Sequence, residues 1–193
     1  MRICHVAFLA YPGRASAVIY ELTQLEARSG LEVTALVAGV GLAQVQEADE
    51  NGVHVVRIPS ASTSARSPAK LRFILSARKY LVAHTFDVVV VYSGIGIGLL
   101  PLLMGGKRRA AVWVHHIRSG PITGGVVGWI GKKMLRLESC VFDAVFIQST
   151  GTRRMIFGGA RADSLIVIGG ANLTRFQRTC DPGLRQRLGI PAG

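Results

Sequence analysis

Short, continuously apolar runs recur along this chain, and longer stretches with apolar residues at helical spacing lie between them. The runs cover residues 3–10, 32–37, 53–58, 88–91, 111–114, 144–147 and 165–168. Most are apolar throughout rather than alternating, as expected of strands buried on both faces of a parallel sheet. Between them, residues 16–27 place Val18, Ile19, Leu22 and Leu25 on one helical stripe, and Gly30 stands where a C-terminal cap belongs. Ser67 and Pro68 supply an N-cap and a first-turn proline for a helix running to about residue 83. Further helices are predicted at 98–104, 126–140 and 151–157. The alternation predicts an α/β fold: a single Rossmann-like doubly wound domain with a mostly parallel sheet of about seven strands flanked by helices. Residues 60–67, rich in Ser and Thr, are expected to form a mobile loop, and no internal repeat is present.

Composition narrows the class. The 193 residues suit one domain better than two, and 49% hydrophobic with 18% charged residues argues against disorder. A net charge of +12 implies an anionic partner: nucleic acid, acidic lipid or a phosphorylated substrate. Cys4, Cys140 and Cys180 show neither metal-ligand spacing nor a disulfide framework, which favours a reducing cytoplasm. The apolar start contains His5 and runs straight into Pro12-Gly13, so it reads as a first strand rather than a signal peptide. Residues 88–106 carry no charge over nearly the length of a membrane span. Their four opening valines, repeated glycines and Pro101 fit a buried strand followed by a buried helix better.

A doubly wound sheet binds ligands beyond the carboxyl ends of its strands, so the loops there are where chemistry is expected. The first, Tyr11 to Ser16, offers Gly13, Arg14 and a helix start, which together suit a phosphate; a plain tight turn explains it as well. A dinucleotide fingerprint would need three spaced glycines and an acidic residue after the second strand, and here there is one glycine and Val37-Ala38-Gly39. The second loop, Ser93 to Gly98, has glycines that allow close approach of a ligand or of a neighbouring helix, and close packing is the favoured reading. His115 and His116 end the 111–114 strand. Neighbours on a strand point to opposite faces, so the pair does not form a shared metal site; one of them can face the crevice as an acid/base or hydrogen-bonding group. Ser149 ends the 144–147 strand, where a helix cap is an equal explanation. No metal and no cofactor is implied. Residues 126–141 combine apolar positions with Trp129, Lys132, Lys133 and Arg136, a basic amphipathic helix suited to an anionic membrane surface or to packing on the sheet. Aromatics make up 7% and form no stacking array, so nucleic acid is not an expected partner.

Taken in order, these pieces resemble the N-terminal, acceptor-side half of a family 4 glycosyltransferase with the GT-B fold. The resemblance is carried by M-R-I-C-H-V-A-F at the start, R-S-G-L-E-V-T-A-L-V at 28–37, G-V-H-V-V-R-I-P at 52–59 and F-D-V-V-V-V-Y-S at 86–93. V-W-V-H-H at 112–116, E-S-C-V-F-D-A-V-F-I-Q-S at 138–149, I-V-I-G-G-A-N-L-T-R-F at 166–176 and L-R-Q-R-L-G-I-P at 184–191 continue it. Each piece is loose, and their order is the specific signal.

The resemblance implies two Rossmann-like domains facing each other across a cleft, the first holding the acceptor and the second the nucleotide sugar. Carried over, Gly13 and Arg14 occupy the loop that approaches donor phosphates. His115 or His116 lies near the transferred sugar, His115 slightly ahead because the family's motif often has one histidine followed by a different residue. Ser93 and Ser149 border the cleft. The family's usual glycine pair is reduced to Gly13. Residues 1–176 are expected to form the domain and 177–193 an interdomain linker or tail, with the donor-binding domain and the terminal helix that crosses back absent. The expected activity is transfer from a nucleotide sugar to a glycan or lipid-linked acceptor, with the chain inactive until a nucleotide-sugar-binding domain or subunit joins it. The competing expectation is a non-catalytic basic module docking on an anionic membrane or a protein partner. Either places the chain in the cytoplasm or on the inner face of the membrane.

Overall fold

The computed structural model describes residues 1–12, 17–61, 69–92, 96–105, 112–117, 125–158 and 165–166. In chain order the elements are β1 (Arg2–Ala7), α1 (Ala17–Arg28), β2 (Glu32–Val40), β3 (Gln46–Glu50), β4 (Val53–Ser60), α2 (Ala69–Ala83) and β5 (Val88–Tyr92). A 3₁₀ turn (Ile97–Leu99), α3 (Leu100–Met104), β6 (Val112–Ile117), α4 (Gly125–Ser139), β7 (Ala144–Ile147), α5 (Thr150–Phe157) and β8 (Leu165–Ile166) follow. The strands form one sheet in the order β3-β4-β2-β1-β5-β6-β7-β8, and every pairing is parallel except β3 with β4. The predicted α/β doubly wound, Rossmann-like fold is therefore the one observed.

β3 has no counterpart among the predicted strands. It is a polar edge strand whose residues lie mostly in solvent, so it has no apolar period to detect. Asn51 and Gly52 join it to β4, both at positive φ (52° and 83°), the backbone of a two-residue hairpin turn. His54 stands opposite Asp49 and hydrogen-bonds both Asp49 and Glu47, at 2.9 and 3.1 Å. A charged edge of this kind also discourages pairing with another chain.

Two boundaries move in ways that matter. β1 leaves the ladder after Ala7, where Leu9 donates to the Ala7 carbonyl at 2.9 Å. β6 continues to Ile117, so His115 and His116 are strand residues, paired with Val91 and Tyr92, rather than residues of the loop beyond. Ser67, Pro68 and the Ser/Thr-rich segment 62–67 lie outside the described residues, as do 167–193.

Two cores hold the sheet. On one face α2, the 3₁₀ turn and α3 close over Cys4, Val6, Leu36, Val56, Val89, Val91 and Trp113, and α4 and α5 continue the layer over Ile117, Val145 and Ile147. On the other face Ile19 of α1 joins one core with Ile3, Val33, Ala35, Val90 and Val114. Among the described residues α1 is the one helix on that side. The predicted apolar stripe of α1 is rotated in the structure. Ile19, Thr23 and Gln24 are buried, whereas Val18 and Leu25 are exposed. The cause is the sheet beneath, which presents hydrogen-bonding groups to this helix.

Candidate functional site

From β1 the chain proceeds to β2 on one side, and it returns through α2 to β5 on the other. The strand order thus reverses between β1 and β5. Brändén-type crevices open at such a reversal, outside the carboxyl ends of the strands. Tyr11 after β1, Tyr92 at the end of β5, His116 near the end of β6 and Ser149 after β7 are among the described residues at this edge.

Tyr11 is buried, and its hydroxyl lies 2.7 Å from Thr23 Oγ1 while its ring packs on Tyr20. Arg57 donates to the Tyr11 carbonyl at 3.2 Å and pairs with Glu50 at 2.7 Å. The start of the first loop is thereby held by α1, β3 and β4. Gly13 and Arg14, the predicted phosphate-facing positions, lie outside the described residues, as does Ser93.

The two adjacent histidines separate as strand geometry requires. His115 points under α4, fully buried, stacked on Phe142 with ring centroids 4.6 Å apart. Its Nδ1 lies 3.2 Å from Ser139 Oγ. Ser139 spends its single proton on the Leu135 carbonyl at 2.7 Å, so His115 is the donor of that pair. His116 points to the α1 side. Its ring lies 4.9 Å from that of Tyr92, its register partner on β5, and meets Phe146 edge-on at 6.5 Å. The Tyr92 hydroxyl lies 2.9 Å from His5 Nδ1, and His5 Nε2 lies 2.7 Å from Glu26 Oε2 of α1. His5, Glu26 and Tyr92 are absent from the predicted site. The available signal was a histidine in the middle of an otherwise apolar first strand and a tyrosine closing the valine run of β5.

Ser149 caps α5: its hydroxyl accepts from the Thr152 backbone N–H at 3.1 Å and lies 3.0 Å from Thr152 Oγ1. Close packing accounts for Gly98, where an added Cβ would meet Glu138 Oε2 at 2.5 Å. Glu138 is completely buried, and its Oε1 accepts from the Gly96 N–H at 2.5 Å. Burial pushes its carboxyl up to about 6, against the lowering effects of that N–H and of Lys70. Burial likewise pulls the Lys70 ammonium below its ordinary value, and Glu138 opposes this.

The helical layer opposite α1 has a distinct outer surface. Glu138 is the single acidic residue on α2, α3, α4 and α5, and it is buried. Val126, Trp129, Ile130 and Leu137 of α4 are all at least half exposed, Trp129 at 57%. Lys133 Nζ sits 4.3 Å above the Trp129 ring. Lys132 lies on the same helix, while Arg136 donates to the Ile156 carbonyl and ties α4 to α5. Among the described residues no helix is long and apolar enough to cross a membrane, and no group of three or more His, Cys, Asp or Glu is arranged for a metal.

The family model "glycosyl transferase 4-like domain" matches residues 15–169. The chain belongs to that family. Solved structures with the same fold include a chain of sucrose-phosphate synthase from Thermosynechococcus elongatus, with a TM-score of 0.63 at 11% identity, covering 97% of this chain and 99% of that one. HepE of Anabaena, solved in complex with UDP and glucose, has a TM-score of 0.61 at 16% identity over 98% of this chain. The glycosyl transferase 4-like chain spans 50% of the HepE chain. At these identities the likeness is one of fold. No protein of curated function matches significantly.

Proposed function

We propose that this glycosyltransferase-type domain, residues 1–176 with 177–193 as linker, forms the acceptor side of a transfer cleft. A glycan or lipid-linked hydroxyl docks along the carboxyl edge of the sheet, and a nucleotide-sugar-holding domain closes over it. In this reading the acceptor oxygen replaces the nucleotide diphosphate at the anomeric carbon of the sugar. Alignment of the two substrates and stabilisation of the departing diphosphate are the main rate terms. His116 faces the transferred sugar. His115, bound to Ser139 under α4, holds the fold. Gly13 and Arg14 approach the diphosphate, and Ser93 and Ser149 border the acceptor. The observation that carries the reading is the position of His116 at the carboxyl edge, beside the reversal of strand order, in a chain of this family.

The alignment term needs both substrates, so these 193 residues alone should bind acceptor and turn over nothing. A polyprenyl-diphosphate-linked monosaccharide and a panel of nucleotide sugars, titrated separately into the chain, test this. Acceptor binding that perturbs His116, with no nucleotide released in the mixture, is expected. Steady nucleotide release by the chain alone would refute it.

A second reading draws on the outer surface of α4. Exposed apolar side chains beside Lys132 and Lys133, on a layer without exposed acid, suit an anionic bilayer at the inner face of a membrane, whether to meet a lipid-linked acceptor or simply to dock. Each basic group near such a surface contributes about 1 kcal/mol. Replacing Lys132 and Lys133 by Ala should weaken binding to vesicles containing phosphatidylserine by about 30-fold, given tenfold per roughly 1.4 kcal/mol. Equal binding to neutral vesicles, or indifference to salt, would reject this reading.

A further inference from the structure

Between α1 and the sheet a line of polar side chains runs from the partly exposed Glu26 through fully buried His5 to Tyr92, which adjoins His116 at the carboxyl edge. A carboxylate only accepts, so the proton in the 2.7 Å contact belongs to His5 Nε2. In the ring protonated at Nε2 alone, Nδ1 is an acceptor, and it is to this nitrogen that the Tyr92 hydroxyl, 2.9 Å away, can donate. Each bond thereby determines the direction of the next. The Tyr92 ring is held at its far end, and the His116 imidazole packs against it with ring centroids 4.9 Å apart and planes tilted by 47°. An apolar residue at position 5 would fill the same space without partners on two other elements.

We infer that Glu26, His5 and Tyr92 are positioning residues: a hydrogen-bonded line that sets the orientation of the His116 ring. The inference rests on the role proposed above for His116. It deepens that role, because a group beside a reacting sugar must be held in one plane to act on it. The three residues touch no substrate and act through the Tyr92 ring.

The ¹⁵N spectra of the imidazoles in the 193-residue chain test this without any substrate. Tyr92→Phe keeps the ring and removes the hydroxyl; His5→Leu removes both the donor toward Glu26 and the acceptor for Tyr92; Glu26→Gln removes the charge. The His116 imidazole signals should shift in all three, while those of His54 and His84, which line a pocket near the opposite edge, stay in place. His116 signals that stay put in Tyr92→Phe and Glu26→Gln, with His5 signals moved, would overturn the inference. In the complete transferase Tyr92→Phe should lower kcat about tenfold with KM unchanged, as for loss of an interaction made only in the transition state. Transfer abolished by His116→Ala but untouched by Tyr92→Phe rejects the line and keeps the proposed function. Transfer untouched by His116→Ala rejects the proposed role of His116, and the spectra still decide whether the line orients it.

Discussion

One face of the sheet, under α2 to α5, is closed by a large apolar cluster down to Trp113, which is 1% exposed, with its buried polar groups His115, Ser139 and Glu138 gathered at α4; the other, under α1, is crossed by Tyr11, Thr23, His5, Glu26 and Tyr92 in hydrogen-bonded contacts. Their outer surfaces differ as well. The α2–α5 layer shows solvent basic and apolar groups, whereas α1 carries Glu21 and Glu26 and β3 adds Glu47, Asp49 and Glu50. The topology explains the division of helices. Right-handed crossovers that move in opposite directions from β1 lie on opposite faces, and the β3 hairpin replaces the helix that would otherwise stand beside α1. The difference teaches that adjacent residues on a strand can serve separate ends. His115 belongs to packing, and His116 to the face that carries hydrogen-bonding groups to the carboxyl edge.

Core deletion should give the largest effect and break the comparison most directly. Trp113→Ala opens a cavity beneath the α2–α5 layer and should cost about 3–5 kcal/mol of unfolding free energy. Val114→Ala, the next residue but on the α1 side, removes two carbon groups at roughly 0.8 kcal/mol each, about 1.5 kcal/mol. Chemical denaturation of both variants measures the pair. Equal costs would mean that the two faces bear the fold alike.

The buried Glu138 sharpens the comparison from within the apolar layer. Its carboxyl is raised from 4.5 to about 6 in the folded chain. Between those values the folded state holds the proton that the unfolded chain has released, so stability falls as pH rises through this window. Above it the buried carboxylate costs on the order of 2 kcal/mol at 1.36 kcal/mol per unit. The unfolding free energy of the wild type, measured against Glu138→Gln, should therefore rise by about that amount from pH 7.5 to pH 4.5. A difference that is flat across the range, or of opposite slope, would show that Lys70 and the Gly96 N–H offset the burial fully.

Much of this arrangement was legible in the sequence because burial on both faces leaves a signal. The valines of β5 and the apolar run of β7 are continuous for that reason, β2 and β4 are mostly apolar, and the parallel order followed from the helices between them. β3 was not legible, since a solvated Gln46–Glu50 strand is held by backbone pairing and by His54 rather than by apolar contacts. The Asn51-Gly52 turn was its one sequence mark. The orientation of α1 escaped for the opposite cause: its buried positions, Thr23 and Gln24, are polar and become comprehensible only beside Tyr11 and the Glu50 carbonyl. The site was half legible. Strand alternation separated His115 from His116, but which of them met α4 depends on the crossover, and the His5–Glu26 pairing joins residues 21 positions apart through tertiary contact.

The smallest expected effect concerns Ser149, where the sequence left a cap and a cleft residue equally open. α5 is 8 residues long, about two turns, so one satisfied N–H at its start is a large share of its end bonds. Ser149→Ala should destabilise the chain by about 1 kcal/mol, the usual cost of losing an N-cap, and Ser149→Asp should retain most of it because a carboxylate accepts from the Thr152 N–H and favours the positive end of the helix. Thermal melts separate these two outcomes from a third in which both variants melt as the wild type does, which would mean that the hydroxyl does not support α5. Transfer assays then divide the roles. A residue that only caps leaves Ser149→Asp active, whereas one that meets an acceptor on the hydrogen-bonding side of the carboxyl edge loses activity in both.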